Sequence, residues 1–194
     1  QDLPQALEAL EKSATLNPDD AEAQLKLGEL YLQARQFPKA QTRAEAVLQK
    51  YPSRIEALLL LGNAHAGKRD MSKAIDTIQQ ARKLDPQRVS TVLNLATLLY
   101  ANREVSAAEK AYQDALVLEP HSVQVHQVAA NFYTMQRQFP KAEALLQKAL
   151  ELDSSNLYVH LQLGAFYLYQ KQRQEAEKAF RQAIAAAPDD LRGY

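Results

Sequence analysis

The chain has 194 residues, of which 46% are apolar and 24% charged, and these proportions are typical of a soluble, folded protein. Basic and acidic residues both number 23, so no net charge favours binding to nucleic acid or to an anionic membrane. The absence of cysteine excludes disulfides, thiolate zinc sites and a cysteine nucleophile. No apolar run approaches the ~20 residues that a membrane span needs. Nothing in the sequence indicates a compartment.

A 34-residue frame recurs along the chain. Residues 1–20 are predicted to form the second helix of a truncated preceding repeat, and residues 191–194 to start a following first helix. Because both ends fit partial repeats and the chain starts at Gln1 without a charged-then-apolar leader, we expect a piece cut from a longer array. Five full repeats are predicted between the ends, at residues 21–54, 55–88, 89–122, 123–156 and 157–190.

Each repeat is predicted to contain two amphipathic helices, and residues 157–190 show the pattern most clearly. Apolar side chains recur at helical spacing in the first half and again in the second half, on either side of the polar segment 170–174. Pro188 then ends the second helix. The first stripe consists of Val159, Leu163, Phe166 and Tyr167, and the second consists of Ala176, Phe180, Ala183, Ile184 and Ala187.

Prolines and small residues keep fixed places in the frame, whose positions we number 1–34 from Ala21. Position 18 is in the first turn of the second helix, and position 32 follows that helix; both tolerate proline. Position 8 always holds Gly or Ala and position 20 always holds Ala, which predicts the closest helix approaches. The prolines are Pro4, Pro38 and Pro140 at position 18, and Pro18, Pro52, Pro86, Pro120 and Pro188 at position 32.

Over essentially its whole length the chain resembles the tetratricopeptide repeat (TPR) family. The resemblance rests on the period, the Leu-Gly or Leu-Ala pair at positions 7 and 8, tyrosine at 11, alanine at 20, an aromatic at 24 and proline at 32. It implies an all-α fold, an α-solenoid of stacked antiparallel helix pairs that winds into a right-handed superhelix. One such repeat cannot bury its apolar stripes alone, so stacking is obligatory.

The resemblance also implies that partners bind in a concave groove lined by the first helices, through positions 2, 5, 9, 12 and 13. These positions carry an apolar stripe beside an amide and hydroxyl stripe, acidic at its start and tyrosine-rich at its end. Such a face suits an extended segment or a helix with apolar anchors. Alternatively, the leucines pack between adjacent first helices. The candidate groove residues are Leu25, Glu29, Leu59, Asn63, Leu93, Asn94, Thr97, Tyr100, Gln127, Asn131, Tyr158, Leu161 and Tyr169.

Position 15, where the family more often has glycine, holds a cation in every repeat. One interpretation is that the cation compensates the dipole of the first helix. The other is a basic ridge that docks an acidic partner surface or lipid headgroups. No aromatic residue is predicted to interleave with this ridge, which argues against nucleic acid. The basic ridge comprises Arg35, Arg69, Arg103, Arg137 and Lys171.

No constellation of residues predicts an enzyme, a cofactor or a metal site. His126 and His160 share position 4 of adjacent repeats, so we expect them roughly 8–10 Å apart, too far to share a metal ion. The acidic pairs at residues 19–20 and 189–190 lie where helix N-caps are expected, as do Ser122 and Asn156. The family's clamp for a chaperone carboxylate is rejected, because its cation positions hold Leu59, Gln124 and Val128.

The leading hypothesis is therefore a protein-protein interaction scaffold that holds a peptide segment or a protein surface in its groove. A second hypothesis is a substrate-recruiting arm of a larger enzyme, such as a glycosyltransferase, whose catalytic domain lies outside these residues. A third is a structural solenoid that self-associates through its open ends. The predicted partner is a protein or peptide, without nucleic acid or a direct membrane span.

Overall fold

A computed structural model describes residues 11–12, 17 and 19–186 of the chain. The predicted helix in 1–20 lies largely outside these residues, as do Pro188, the caps at 189–190 and the predicted helix start at 191–194. Within the described residues, no helix is long and apolar enough to cross a membrane.

The described ranges contain helices and no strand. In each repeat a first helix of 13 residues is followed by a second of 14. The first helices begin at position 1 of the frame and the second helices at position 17. The bounds are α1 Ala21–Gln33, α2 Phe37–Lys50, α3 Ile55–Gly67, α4 Met71–Leu84, α5 Val89–Ala101, α6 Val105–Leu118, α7 Val123–Met135, α8 Phe139–Leu152, α9 Leu157–Tyr169 and α10 Arg173–Ala186.

The chain forms two compact units, Gln1–Ala111 and Tyr112–Tyr194, with α6 contributing to both. In the first unit α1 packs on α2 and α3 on α4, while α3 also packs on α1 and α2. In the second unit α7 packs on α8 and α9 on α10, while α9 also packs on α7 and α8. Within each unit, the second helix of one repeat therefore packs on the first helix of the next, as expected for repeats that cannot bury their apolar faces alone. The fold is an all-α helical repeat of the solenoid class.

Small residues permit this close packing. The alanines at position 20, from Ala40 to Ala176, are at most 1% exposed. A Cβ on Gly62 would stand 2.5 Å from Ile78 Cδ1, and one on Gly164 would stand 2.5 Å from Phe180 Cε1. The first and second helices of a repeat thus touch where the sequence predicts their closest approach.

Helix ends follow the local sequence. Asp20 caps α1 by accepting hydrogen bonds from the backbone of Glu22 and Ala23, at 3.0 and 3.1 Å. Ser122 and Asn156 cap α7 and α9 in the same way. These three predicted caps are confirmed, whereas Asp19 forms an ion pair with Lys50 instead of capping a helix. Pro38 and Pro140 occupy the first turns of α2 and α8, where a missing N–H is tolerated.

The turn within every repeat has one geometry. After α3, the N–H of Arg69 donates to Ala66 O at 2.9 Å, and the N–H of Asp70 donates to His65 O at 3.0 Å. This pair of bonds is a Schellman motif, and it requires a left-handed residue after the helix. Position 15 supplies that residue in every repeat, with φ of 57° at Arg35, 66° at Arg69 and Arg103, 57° at Arg137 and 64° at Lys171.

Candidate functional site

The first-helix face of the second unit contains a pocket of about 500 Å³ between α7 and α9. Three predicted groove residues, Gln127, Asn131 and Tyr158, lie together in its wall. They occupy positions 5, 9 and 2 of two adjacent repeats, so the stacking of α7 on α9 brings them together. We call this site the groove pocket; its lining residues are Gln124, Gln127, Val128, Asn131, Tyr158 and Gln162.

Most side-chain amides in the groove pocket form no hydrogen bond with the described residues. Gln162 Nε2 donates to the backbone oxygen of Gln127 at 2.8 Å, which ties α9 to α7. Within the described part of the chain, the side-chain amides of Gln124, Gln127 and Asn131 have no hydrogen-bond partner. Each amide offers both a donor and an acceptor, which is the pairing that an extended peptide backbone requires. The Tyr158 side chain is 57% exposed and adds apolar area to the same wall.

The corresponding face of the first unit has its polar groups paired internally. Asn94 Nδ2 donates to Asn63 Oδ1 at 3.0 Å, so two predicted groove amides are bonded to each other. Glu56 forms ion pairs with Arg54 and with Arg88, both at 2.7 Å, and Arg54 also pairs with Glu22. The hydrogen bond from Arg88 holds the pKa of Glu56 below its usual value. The acidic residues at position 2, Glu22 and Glu56, are thus paired with arginines at position 34, a partnership that the sequence pattern did not reveal.

The leucines at position 5 differ in exposure. Leu59, Leu93 and Leu161 are partly exposed on the first-helix face. Leu25 is only 4% exposed and belongs to the core cluster that includes Leu60 and Ala57. The prediction of Leu25 as a groove residue is therefore wrong, because its side chain is buried in the core beside residues of α3.

The other groove candidates are dispersed. Glu29 and Thr97 are exposed and Tyr100 is partly exposed on the first-helix face. The Thr97 hydroxyl donates to Leu93 O at 2.9 Å, one turn back in its own helix. Tyr169 lies away from the groove pocket, in a different pocket at the turns between paired helices.

This second pocket, which we call the edge pocket, has a volume of about 470 Å³. It joins the α7–α8 turn to the α9–α10 turn and contains two cations of the basic ridge. Two aromatic rings lie beside these cations, contrary to the sequence prediction, because Phe139 follows Arg137 closely and Tyr169 precedes Lys171 in the next repeat. Neither Phe139 nor Gln170 was among the site residues predicted from the sequence. The edge pocket is lined by Arg137, Phe139, Tyr169, Gln170 and Lys171.

Two buried histidines and the half-buried Tyr167 have hydrogen-bond partners within the fold. His126 Nδ1 contacts Ser122 O and His160 Nε2 contacts Ser154 O, both at 2.9 Å. The Tyr167 hydroxyl donates to Glu143 Oε1 at 2.7 Å, and burial followed by this bond raises the pKa of Tyr167 to about 12. Among the described residues, no group of three or more His, Asp or Glu is placed to hold a metal ion.

Comparisons with solved structures place this fold among helical repeat proteins. A thermophilic TPR protein of Thermus thermophilus, TTC0263, gives a TM-score of 0.71 at 22% identity, over 89% of this chain and 94% of that chain. MamA gives 0.64 at 22% identity, over 84% and 95% of the two chains. YrrB, described as a TPR protein with an unusual peptide-binding site, gives 0.59 at 19% identity, over 96% of each chain.

Family models give the same result from the sequence. One tetratricopeptide repeat model matches residues 1–40, 25–89 and 93–156, and another matches residues 133–194. A search of the curated proteins found no match. Since the family matches extend over most of the sequence, the chain belongs to the tetratricopeptide repeat family.

Proposed function

We propose that this chain is a protein-interaction scaffold that holds an extended peptide segment of a partner in the groove pocket. TPR proteins generally mediate protein-protein interactions and are typically non-enzymatic scaffolds, which supports the general class of function. YrrB, a structural neighbour, carries a peptide-binding site, which supports a peptide as the ligand.

The observation that carries the proposal is the group of unpaired amides in the groove pocket. A buried peptide backbone needs partners for its N–H and C=O groups, and Gln124, Gln127 and Asn131 offer both kinds. Tyr158 and Val128 supply apolar surface for a side chain of the peptide. The first-unit face contributes less, because its Asn63 and Asn94 already bond to each other.

A peptide selection tests this proposal without knowledge of the natural partner. A random-peptide phage library is selected against the whole chain, and enriched peptides are titrated by fluorescence anisotropy. The double variant Gln127→Ala/Asn131→Ala should weaken binding by roughly tenfold or more, since each lost hydrogen bond contributes about 0.5–1.5 kcal/mol.

The matched control removes two amides from the second helices of the same unit. Gln147 on α8 and Gln182 on α10 are exposed, and the double variant Gln147→Ala/Gln182→Ala should bind the peptides as the wild type does. Equal affinities for all three proteins would refute the groove proposal. A selection that enriches no peptide would refute it as well.

A further inference from the structure

The edge pocket combines features that the groove pocket lacks. Arg137 and Lys171 place two cations at its rim, each held at a left-handed turn position. Phe139 and Tyr169 form an apolar wall, with ring centroids 5.9 Å apart and planes inclined at 66°. Schellman hydrogen bonds at both turns define the backbone conformation beneath the two cations.

The two cations of the edge pocket have no acidic partner among the described residues. Within residues 11–12, 17 and 19–186, neither Arg137 nor Lys171 forms an ion pair with an acidic group. Other cations of the same unit do find carboxylates: Lys148 pairs with Glu151 and Arg181 with Glu177, both at 2.7 Å. Gln170 adds a donor, since its buried Nε2 has no acceptor among the described residues.

Arg137 and Lys171 both have a left-handed backbone conformation, which favours glycine. A glycine would adopt φ of 57° or 64° without steric cost, whereas a side chain with a Cβ is strained there. Arg137 and Lys171 therefore occupy positions that local structure alone would give to glycine.

We propose that the edge pocket binds the side-chain carboxylates of an acidic segment of a partner protein, with an apolar side chain of that segment against Phe139 and Tyr169. Arginine and lysine both pair with carboxylates through charge-assisted hydrogen bonds. The volume of about 470 Å³ exceeds what a single phosphate or carboxylate needs, and it leaves room for the neighbouring apolar side chain. This site is separate from the groove pocket and does not depend on the proposed function.

A protein segment fits these features better than a nucleic acid does. The two rings meet edge to face, so they offer no open parallel surface on which successive bases could stack. The chain has zero net charge and only two cations in this pocket, whereas nucleic-acid sites use a broad basic patch.

The test uses the whole chain and a defined probe. The probe is a fluorescein-labelled peptide of alternating Glu and Leu, acetylated and amidated so that it carries no terminal carboxylate. The double variant Arg137→Gly/Lys171→Gly removes both cations and suits the left-handed turns, so the fold is retained. Its affinity for the probe should fall by roughly tenfold or more, because two charge-assisted contacts are lost.

The matched control is Arg69→Gly/Arg103→Gly. It removes the same charge from equivalent left-handed turns of the first unit, and its affinity for the probe should stay at the wild-type value. The groove variant Gln127→Ala/Asn131→Ala should also bind the acidic probe normally, which separates this site from the groove. A probe with Gln in place of Glu should not bind.

Three outcomes would overturn the proposal. Equal losses in both glycine double variants would show only a long-range effect of net charge. Binding of the Gln probe as strong as that of the Glu probe would exclude recognition of carboxylates. Binding of a short oligothymidine, but not of the Glu probe, would assign the pocket to nucleic acid instead.

Discussion

Exchanging the residue at one turn measures the strain at position 15 directly. Arg69 is exposed and has φ of 66°, and its turn is held by hydrogen bonds to Ala66 and His65. We compare Arg69→Ala with Arg69→Gly. Both variants remove the charge, so their difference isolates the effect of a Cβ in the left-handed region. Arg69→Gly should be the more stable of the two, although glycine usually destabilises folded proteins.

The expected magnitude follows from two opposing terms. A residue with a Cβ costs about 1–2 kcal/mol in the left-handed region. Replacing the residue by glycine removes this cost. Glycine also gains conformational freedom in the unfolded chain, which destabilises the folded state by about 0.4–1 kcal/mol. The net expectation is that Arg69→Gly exceeds Arg69→Ala in stability by about 0.5–1 kcal/mol. Arg69→Ala should lie below the wild type by about 0.3–1 kcal/mol, since it loses the cation at the helix C terminus.

The assay is urea unfolding of the whole chain, followed by circular dichroism. Ala46 is the matched control, because it is exposed in the interior of α2 and lies in the same unit. Ala46→Gly should lower the free energy of unfolding by about 0.5–1 kcal/mol, the opposite sign to the Ala-to-Gly difference at Arg69. If glycine were no better than alanine at Arg69, the turn would not be strained in solution and the geometric argument for position 15 would fail.

Two further predictions concern packing and ionisation. Gly62→Leu should lower the free energy of unfolding by about 1–3 kcal/mol, because a side chain there meets Ile78 at less than van der Waals distance; an unchanged thermal melting curve would contradict this packing. Burial raises the pKa of Tyr167 from an ordinary value of 10.0 to about 12, so the stability that its protonated form contributes is complete below pH 10.0 and is lost as the pH rises towards 12. Tyr167→Phe should flatten the loss of stability in that window, and absorbance titration should show one late-ionising tyrosine fewer; titration curves that coincide would exclude the burial of Tyr167.

The helix frame was predictable because the constraints on it are local and repeat. Pro38 and Pro140 can occupy only a first helical turn, and Ser122 caps the helix that follows it. The alanines at position 20 mark close packing for a reason that any two adjacent helices share. Each of these signals acts within a few residues, and five copies of the frame reinforce one another.

The partnerships between repeats were not predictable in the same way. Whether Asn63 bonds to Asn94 or faces solvent depends on the rotation of α3 relative to α5, which the period does not specify. The burial of Leu25 depends likewise on how α3 covers α1. For the edge pocket a signal did exist: a cation replaces the family's usual glycine at position 15. Only the backbone geometry showed that position 15 is a left-handed turn position.

The two candidate pockets of the second unit lie at opposite ends of one helix, and this limits how a single partner could use both. Tyr158 in the groove pocket and Tyr169 in the edge pocket are eleven residues apart in α9. Along a helix that separation is about 16 Å, since each residue rises about 1.5 Å. An extended chain covers the same distance in about five residues, at about 3.3 Å each. A segment that fills the groove pocket would therefore need its acidic residues about five positions away, on one side only, to reach Arg137 and Lys171. Peptides selected through the groove should show acidic enrichment at that offset if one partner uses both sites, and an even distribution of Asp and Glu if the pockets serve separate partners.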